Sequence, residues 1–154
     1  MNTIFSMGLA LSLVGCGGFI PEEGEWTVNS SETVSNTCGF EDEEDTGSNE
    51  EDTFIISSTD DGGYNIDLDE DITLYCLLDK KDMTCESFEF TEDIVEMAIT
   101  TTQIMNYSGS FASETKFNGT LKVDMDCIGD GCSMLEMFGI TVPCTAEMIM
   151  LASK

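Results

Sequence analysis

Thr53-Phe-Ile-Ile-Ser-Ser-Thr59, Asp60-Asp61-Gly62-Gly63, Tyr64-Asn-Ile-Asp-Leu-Asp69 and Ile72-Thr-Leu-Tyr-Cys-Leu-Leu78 succeed one another along the chain, and their order is that of a β-meander. The first run is rich in aromatic and β-branched residues, which suit a half-buried pleated surface. The Asp-Asp-Gly-Gly that follows is a hairpin turn, because its glycines accept the positive φ that tight turns require. Residues 64–69 then alternate, with Tyr64, Ile66 and Leu68 on one face and Asn65, Asp67 and Asp69 on the other. A period of two is that of a strand with one face buried and does not fit a helix.

The same signals extend in both directions. Upstream, residues 25–30 alternate with Trp26 and Val28 on one face. Downstream, Cys76 and Cys85 flank a polar turn, and Thr84–Phe90 reads as the returning arm of that hairpin, with Phe88 and Phe90 on one face. Residues 92–105 carry a possible helix cap at Thr91, but Thr100-Thr101-Thr102 and the β-branched Ile99 and Ile104 favour a strand after a short helical turn. Tyr107–Ala112 carries a bulge-like glycine, Gly109, inside a strand pattern. Thr120–Asp126 places Leu121, Val123 and Met125 inward, and Met134–Val142 and Ala146–Leu151 are the last two candidates. About eight strands at spacings of roughly ten residues predict an all-β fold over 25–154, a single antiparallel meander barrel or a sandwich. Residues 41–52 hold eight acids in twelve positions and are expected to form a solvated loop.

Composition narrows function. The 154 residues carry 31 acids against 5 lysines, a formal charge of −26, with no arginine and no histidine. Such a field repels phosphate backbones and anionic headgroups, so nucleic-acid binding is not expected. Lack of histidine excludes Ser-His-Asp and Cys-His catalysis and histidine-ligated zinc, and lack of arginine excludes a bidentate phosphate clamp. Charge is also uneven. Residues 16–96 hold 25 acids and 2 lysines, whereas residues 97–154 hold 6 acids and 3 lysines. The later strands are therefore the ones suited to a neutral contact surface or cavity.

The N-terminus supplies an address. Residues 4–14 form an uncharged apolar run, too short to span ~30 Å of hydrocarbon but suited to a signal-peptide core. Directly after it stands Leu13-Val14-Gly15-Cys16, which resembles the lipobox of bacterial lipoproteins. The resemblance implies a signal peptide at 1–15, cleavage before Cys16, and acylation of Cys16 as the mature N-terminus. It further implies a lipidated tether at 16–24 and a cell-envelope location. Several acyl chains together hold a membrane firmly where one alone does not. Gly17 and Gly18 stand where an aspartate would retain such a protein at the inner membrane, so the resemblance implies the outer membrane. No lysine or arginine precedes the apolar run, which departs from the usual pattern. An ordinary secretory signal cleaved near Gly15 is the alternative.

Setting Cys16 aside leaves Cys38, Cys76, Cys85, Cys127, Cys132 and Cys144, an even number that implies a disulfide framework in an exported chain. Pairing of Cys76 with Cys85 across their hairpin is the best single expectation. Cys127-Ile-Gly-Asp-Gly-Cys132 either closes on itself or sends its thiols to Cys38 and Cys144.

Gly24-Glu25-Trp26 at the head of the first strand resembles the Gly-x-Trp that opens the lipocalin (calycin) barrel. That resemblance implies a tryptophan plugging the closed end of an eight-stranded meander. The family's Thr-Asp-Tyr turn is absent, and so is its late arginine, since the chain has none. A buried tryptophan on the first strand of any β-domain reads the same residues equally well.

Carboxylates are the plentiful chemical groups, but most fall in loops or at outward strand positions, away from the apolar surroundings that raise a pKa for acid–base work. No catalytic residue and no cofactor is expected, and a carboxylate-based hydrolase is the least favoured reading. Asp124–Gly131 misses a calcium loop at Ile128 and Leu135, and a disulfide-bounded turn explains it better. Asp67, Asp69 and Asp71 are weak candidates for diffuse cation binding. Met134, Met137, Met148 and Met150 cluster near the end, where soft thioethers either line an adaptable pocket or simply fill the core. The expected function is an outer-membrane-anchored, non-enzymatic binding module for a small apolar ligand or an envelope partner. The alternative is a structural acidic surface lipoprotein that binds divalent cations weakly.

Overall fold

The computed structural model describes residues 18–39, 52–69 and 72–154. Cys16, the signal peptide 1–15, most of the acidic stretch 41–52, and Asp71 lie outside the described residues.

Both turns read from the sequence close hairpins. Thr53–Ser58 (β2) and Tyr64–Asp69 (β3) pair antiparallel from Ile55↔Asp67 to Ser58↔Tyr64, and the turn is held by the Thr59 N–H donating to the Gly63 carbonyl at 3.0 Å. Ile72–Asp79 (β4) and Asp82–Cys85 (β5) meet around Lys80-Lys81, where Lys80 takes the left-handed conformation (φ 61°) that a two-residue turn demands. Gly24–Asn36 (β1) pairs with β2 and with Cys144–Ser153 (β9), which in turn pairs with Lys116–Ile128 (β8), then Ile99–Ser113 (β7), then Phe88–Ile94 (β6). The ring closes where β5 pairs with β7, from Asp82↔Ser110 to Thr84↔Ser108. The fold is thus a closed antiparallel barrel of eight strands in which β6 continues the line of β5 along β7.

Burial follows the alternation. Trp26, Phe54, Ile56, Ile66, Leu74, Met83, Tyr107, Phe111 and Phe117 all point inward and are buried. Their rings interlock: Trp26 stacks on Phe54 at 6.2 Å between centroids and meets Phe111 edge-on at 5.8 Å, and Phe111 packs on Phe117 at 4.8 Å. Offset and edge-on contacts of this kind add to the area term that drives the core together. The stretch 16–24, read as a tether, is described from Gly18 onward and there lies across the barrel end. Phe19 packs on Phe111 at 5.4 Å, Pro21 is buried, and the Glu22 carbonyl accepts the Trp26 indole N–H at 3.0 Å.

Gly109 is not a bulge. It pairs in register with Gly119, and a Cβ on it would stand 2.2 Å from Phe117 Cζ and 2.4 Å from the Asn118 carbonyl oxygen. The two facing glycines make room for the Phe117 ring. The bulge in β7 falls instead between Phe111 and Ser113. Residues 134–142 do not form the expected strand. They lie largely in a 3-10 helix, Cys132–Phe138, which buries Leu135 and ends at Gly139 with φ 80°. Here the 127–132 disulfide and two glycines outweigh a weak alternation. The arm read as Thr84–Phe90 breaks at Glu86-Ser87, dividing β5 from β6. A 3-10 turn, Val95–Met97, separates β6 from β7, in keeping with a strand after a short helical turn. Thr91 does not cap it: Thr91 lies within β6 opposite Thr102, and Ile94 holds the N-cap position.

Three disulfides staple the barrel. Cys76–Cys85 joins directly opposed residues of β4 and β5, Cys127–Cys132 closes on itself, and Cys38–Cys144 ties the residues beyond β1 to the start of β9 across 106 positions.

Candidate functional site

Strand lengths create an unusual surface. β2 and β3 have six residues each, whereas β1, β7 and β8 have thirteen, fifteen and thirteen. At about 3.3 Å per residue the long strands exceed the short ones by roughly 23–30 Å. β1 pairs with β2 only over Gly24–Thr27, and β6 has no strand partner besides β7 among the described residues. Above the closed ring, therefore, the upper parts of β1, β9, β8, β7 and β6 form a curved five-stranded trough whose two edges have no strand partner among the described residues.

Inward positions of these strands lie in rows across the trough floor. One row runs Phe88, Met105, Val123, Ala146; the next toward the rim runs Phe90, Gln103, Met125, Cys144. Nearer the core, Tyr107, Leu121 and Met148 align. Phe88 and Leu121 pack against the core, while Phe90 is 47% exposed and Met105, Val123, Met125 and Met148 are half-buried. Apolar floor with soft thioethers, bounded below by the aromatic plug, is a surface suited to an apolar ligand. The inner face of the upper β1, from Asn29 to Ser35, is exposed and polar. Phe88 and Phe90 apart, the floor comes from the near-neutral residues 97–154. The acids of β8 and β9 lie on the outer face, whereas Glu92 of β6, opposite buried Thr101, shares the face of Phe90 and is exposed.

At the junction of core and trough, the Tyr107 hydroxyl donates to Met150 Sδ at 3.3 Å, and burial pushes its pKa far above that of a free tyrosine. It is a fixed neutral donor. Outside the barrel, hydroxyls hold two carboxylates. Thr59, Tyr75 and the Gly63 N–H donate to Asp61 and lower its pKa. Thr145 and Lys122 donate to Asp124 with the same result.

The sequence-predicted metal candidates do not converge. Asp67 accepts from the Thr73 hydroxyl across the β3–β4 ladder, the Asp69 side chain is not among those described, and Asp71 lies outside the described residues. No group of three acidic or cysteine side chains that would hold a metal occurs among the described residues. The four late methionines separate: Met148 and Met150 face inward from β9, whereas Met134 and Met137 are exposed on the 3-10 helix. The trough itself was not read from the sequence, although Phe88 and Phe90 on one face were its local signal. Among the described residues no helix is long and apolar enough to cross a membrane. Compared with family models, curated proteins and solved structures, the chain matches none.

Proposed function

We propose that the protein is an outer-membrane lipoprotein, anchored through acylated Cys16, whose barrel is a non-enzymatic binding module for a small apolar ligand or an envelope partner. The observation that carries the binding half is the open trough, where Phe90, Met105, Val123, Met125 and Met148 stand partly exposed on a concave face. Isolated exposed apolar residues are ordinary, but a concave row of them beside a filled core is the usual form of a ligand site. Trp26 at the plugged end supports the calycin-like reading, and the disulfide framework supports export to an oxidising compartment.

The anchor is tested by Cys16→Ser, which is expected to move the protein from the membrane fraction to the soluble one; unchanged fractionation with lipid refutes it. The trough is tested with the neutral apolar dye N-phenyl-1-naphthylamine. Saturable binding is expected, reduced at least tenfold by Met125→Glu or Met148→Glu and left intact by Leu77→Glu on the outer face. Equal effects of inner and outer substitutions refute a trough site.

A further inference from the structure

The four most exposed large apolar side chains among the described residues stand at one end of the barrel: Val95 (83%), Met137 (74%), Ile128 (71%) and Phe138 (69%). They are carried by the β6–β7 turn, the end of β8 and the 3-10 helix after it. The backbones of these segments touch. A Cβ on Gly131 would lie 1.9 Å from the Met97 carbonyl oxygen, and one on Gly129 2.3 Å from that of Ala98. The Cys127–Cys132 bond and buried Leu135 hold the 3-10 helix in place. The tip is therefore a packed, covalently braced surface.

Its charge has one sign. Asp93, Glu96, Asp130 and Glu136 are exposed on the same segments. The lysines are elsewhere: Lys80 and Lys81 sit in the β4–β5 turn, Lys116 at the start of β8 and Lys154 beyond β9, all at the opposite end. Lys122 lies within β8 and pairs with Asp124 at 3.0 Å.

We infer that this acid-ringed apolar tip docks a cationic amphipathic segment of a partner protein. An apolar patch ringed by carboxylates complements a partner that brings both apolar side chains and lysine or arginine. An anionic bilayer would be repelled by the ring. A second copy docked tip to tip about a two-fold axis would set like charges against each other. The inference rests on the reading of the chain as a binding module but uses a surface separate from the trough.

The test uses the full chain and two synthetic peptides of equal positive charge, one alternating lysine with leucine in a helical pattern, the other with serine replacing leucine. The lysine–leucine peptide is expected to bind at least tenfold more tightly than the lysine–serine peptide. Phe138→Ser and Met137→Ser are each expected to remove most of that difference. Glu96→Lys with Glu136→Lys should weaken binding more than Asp60→Lys with Glu114→Lys at the far end. Unchanged Trp26 fluorescence and melting temperature check that these surface variants fold. Equal binding of both peptides, equal effects of the two charge reversals, or no effect of Phe138→Ser overturns the proposal. So does tight binding to phosphatidylglycerol vesicles, or a dimer that Phe138→Ser dissolves. Dye binding in the trough, measured on the same variants, separates failure of this site from failure of the trough reading.

Discussion

The three disulfides form an internal series for testing how cross-links stabilise a barrel. Each is removed by a paired Cys→Ala substitution, which leaves no buried hydroxyl behind. Constraint of the unfolded chain scales with the logarithm of the loop closed, and the loops here differ widely: 106, 9 and 5 positions for Cys38–Cys144, Cys76–Cys85 and Cys127–Cys132. The loop-closure relation gives losses of ~4.8, ~2.6 and ~2.1 kcal/mol respectively. With a urea slope of about 2 kcal/mol per molar, the midpoints fall by ~2.4, ~1.3 and ~1 M. Trp26 is the single tryptophan and is fully buried, so its fluorescence reports the transition directly. The slope itself is expected to rise most for the Cys38→Ala/Cys144→Ala variant, because its unfolded chain is released most. If removing Cys127–Cys132 costs as much as removing Cys38–Cys144, chain entropy does not govern these cross-links and the reasoning fails.

Three further outcomes are expected. Gly109→Ala places a methyl against the Phe117 ring and the Asn118 carbonyl, and Gly119→Ala meets Phe117 and Met150; each is expected to lower stability by ~1–3 kcal/mol in urea titration, Gly109→Ala more because backbone cannot yield. Asp61 has its pKa lowered in the folded state, so its contribution is complete above the ordinary carboxylate pKa and is lost as pH falls through the depressed value. The difference in melting temperature between wild type and Asp61→Asn should therefore shrink as pH drops below about 4. Tyr107 has its pKa raised, so its contribution holds below about pH 10 and is lost above it. Tyr107→Phe keeps the stacking on Phe117, forfeits about 1 kcal/mol or less of hydrogen bonding, and should flatten the alkaline limb of the stability profile.

The closed part of the fold was legible because its signals are local. Asp60–Gly63 dictates a turn whatever surrounds it, and Tyr64, Ile66 and Leu68 declare their face by alternation. The Cys76–Cys85 pair was legible for the same reason, since a tight hairpin sets its two arms in register. The pairing of Cys38 with Cys144 was not, because it depends on β1 running to Asn36 through Asn29–Ser35, a polar stretch with no inward hydrophobic pattern. That strand is held by its ladder to β9 rather than by burial, and pattern reading detects burial. The trough was hidden for a related reason: it exists because neighbouring strands differ in length, a property of pairing and not of any single segment. Residues 134–142 misled because alternation there is shorter than the constraint imposed by the Cys127–Cys132 loop.

The overlong first strand also fixes how the molecule responds to force. A pull on the chain ahead of Gly24, against a load at the far tip, acts along the axis of β1, whose bonds to β9 run from Thr27 to Asn36. Antiparallel ladder bonds lie perpendicular to that axis, so they resist together in shear and cannot be unzipped one by one. The covalent link at Cys38 secures the strand's distal end to Cys144. Tension applied ahead of Gly24 would therefore pass along the β1–β9 seam, which ladder and disulfide hold together.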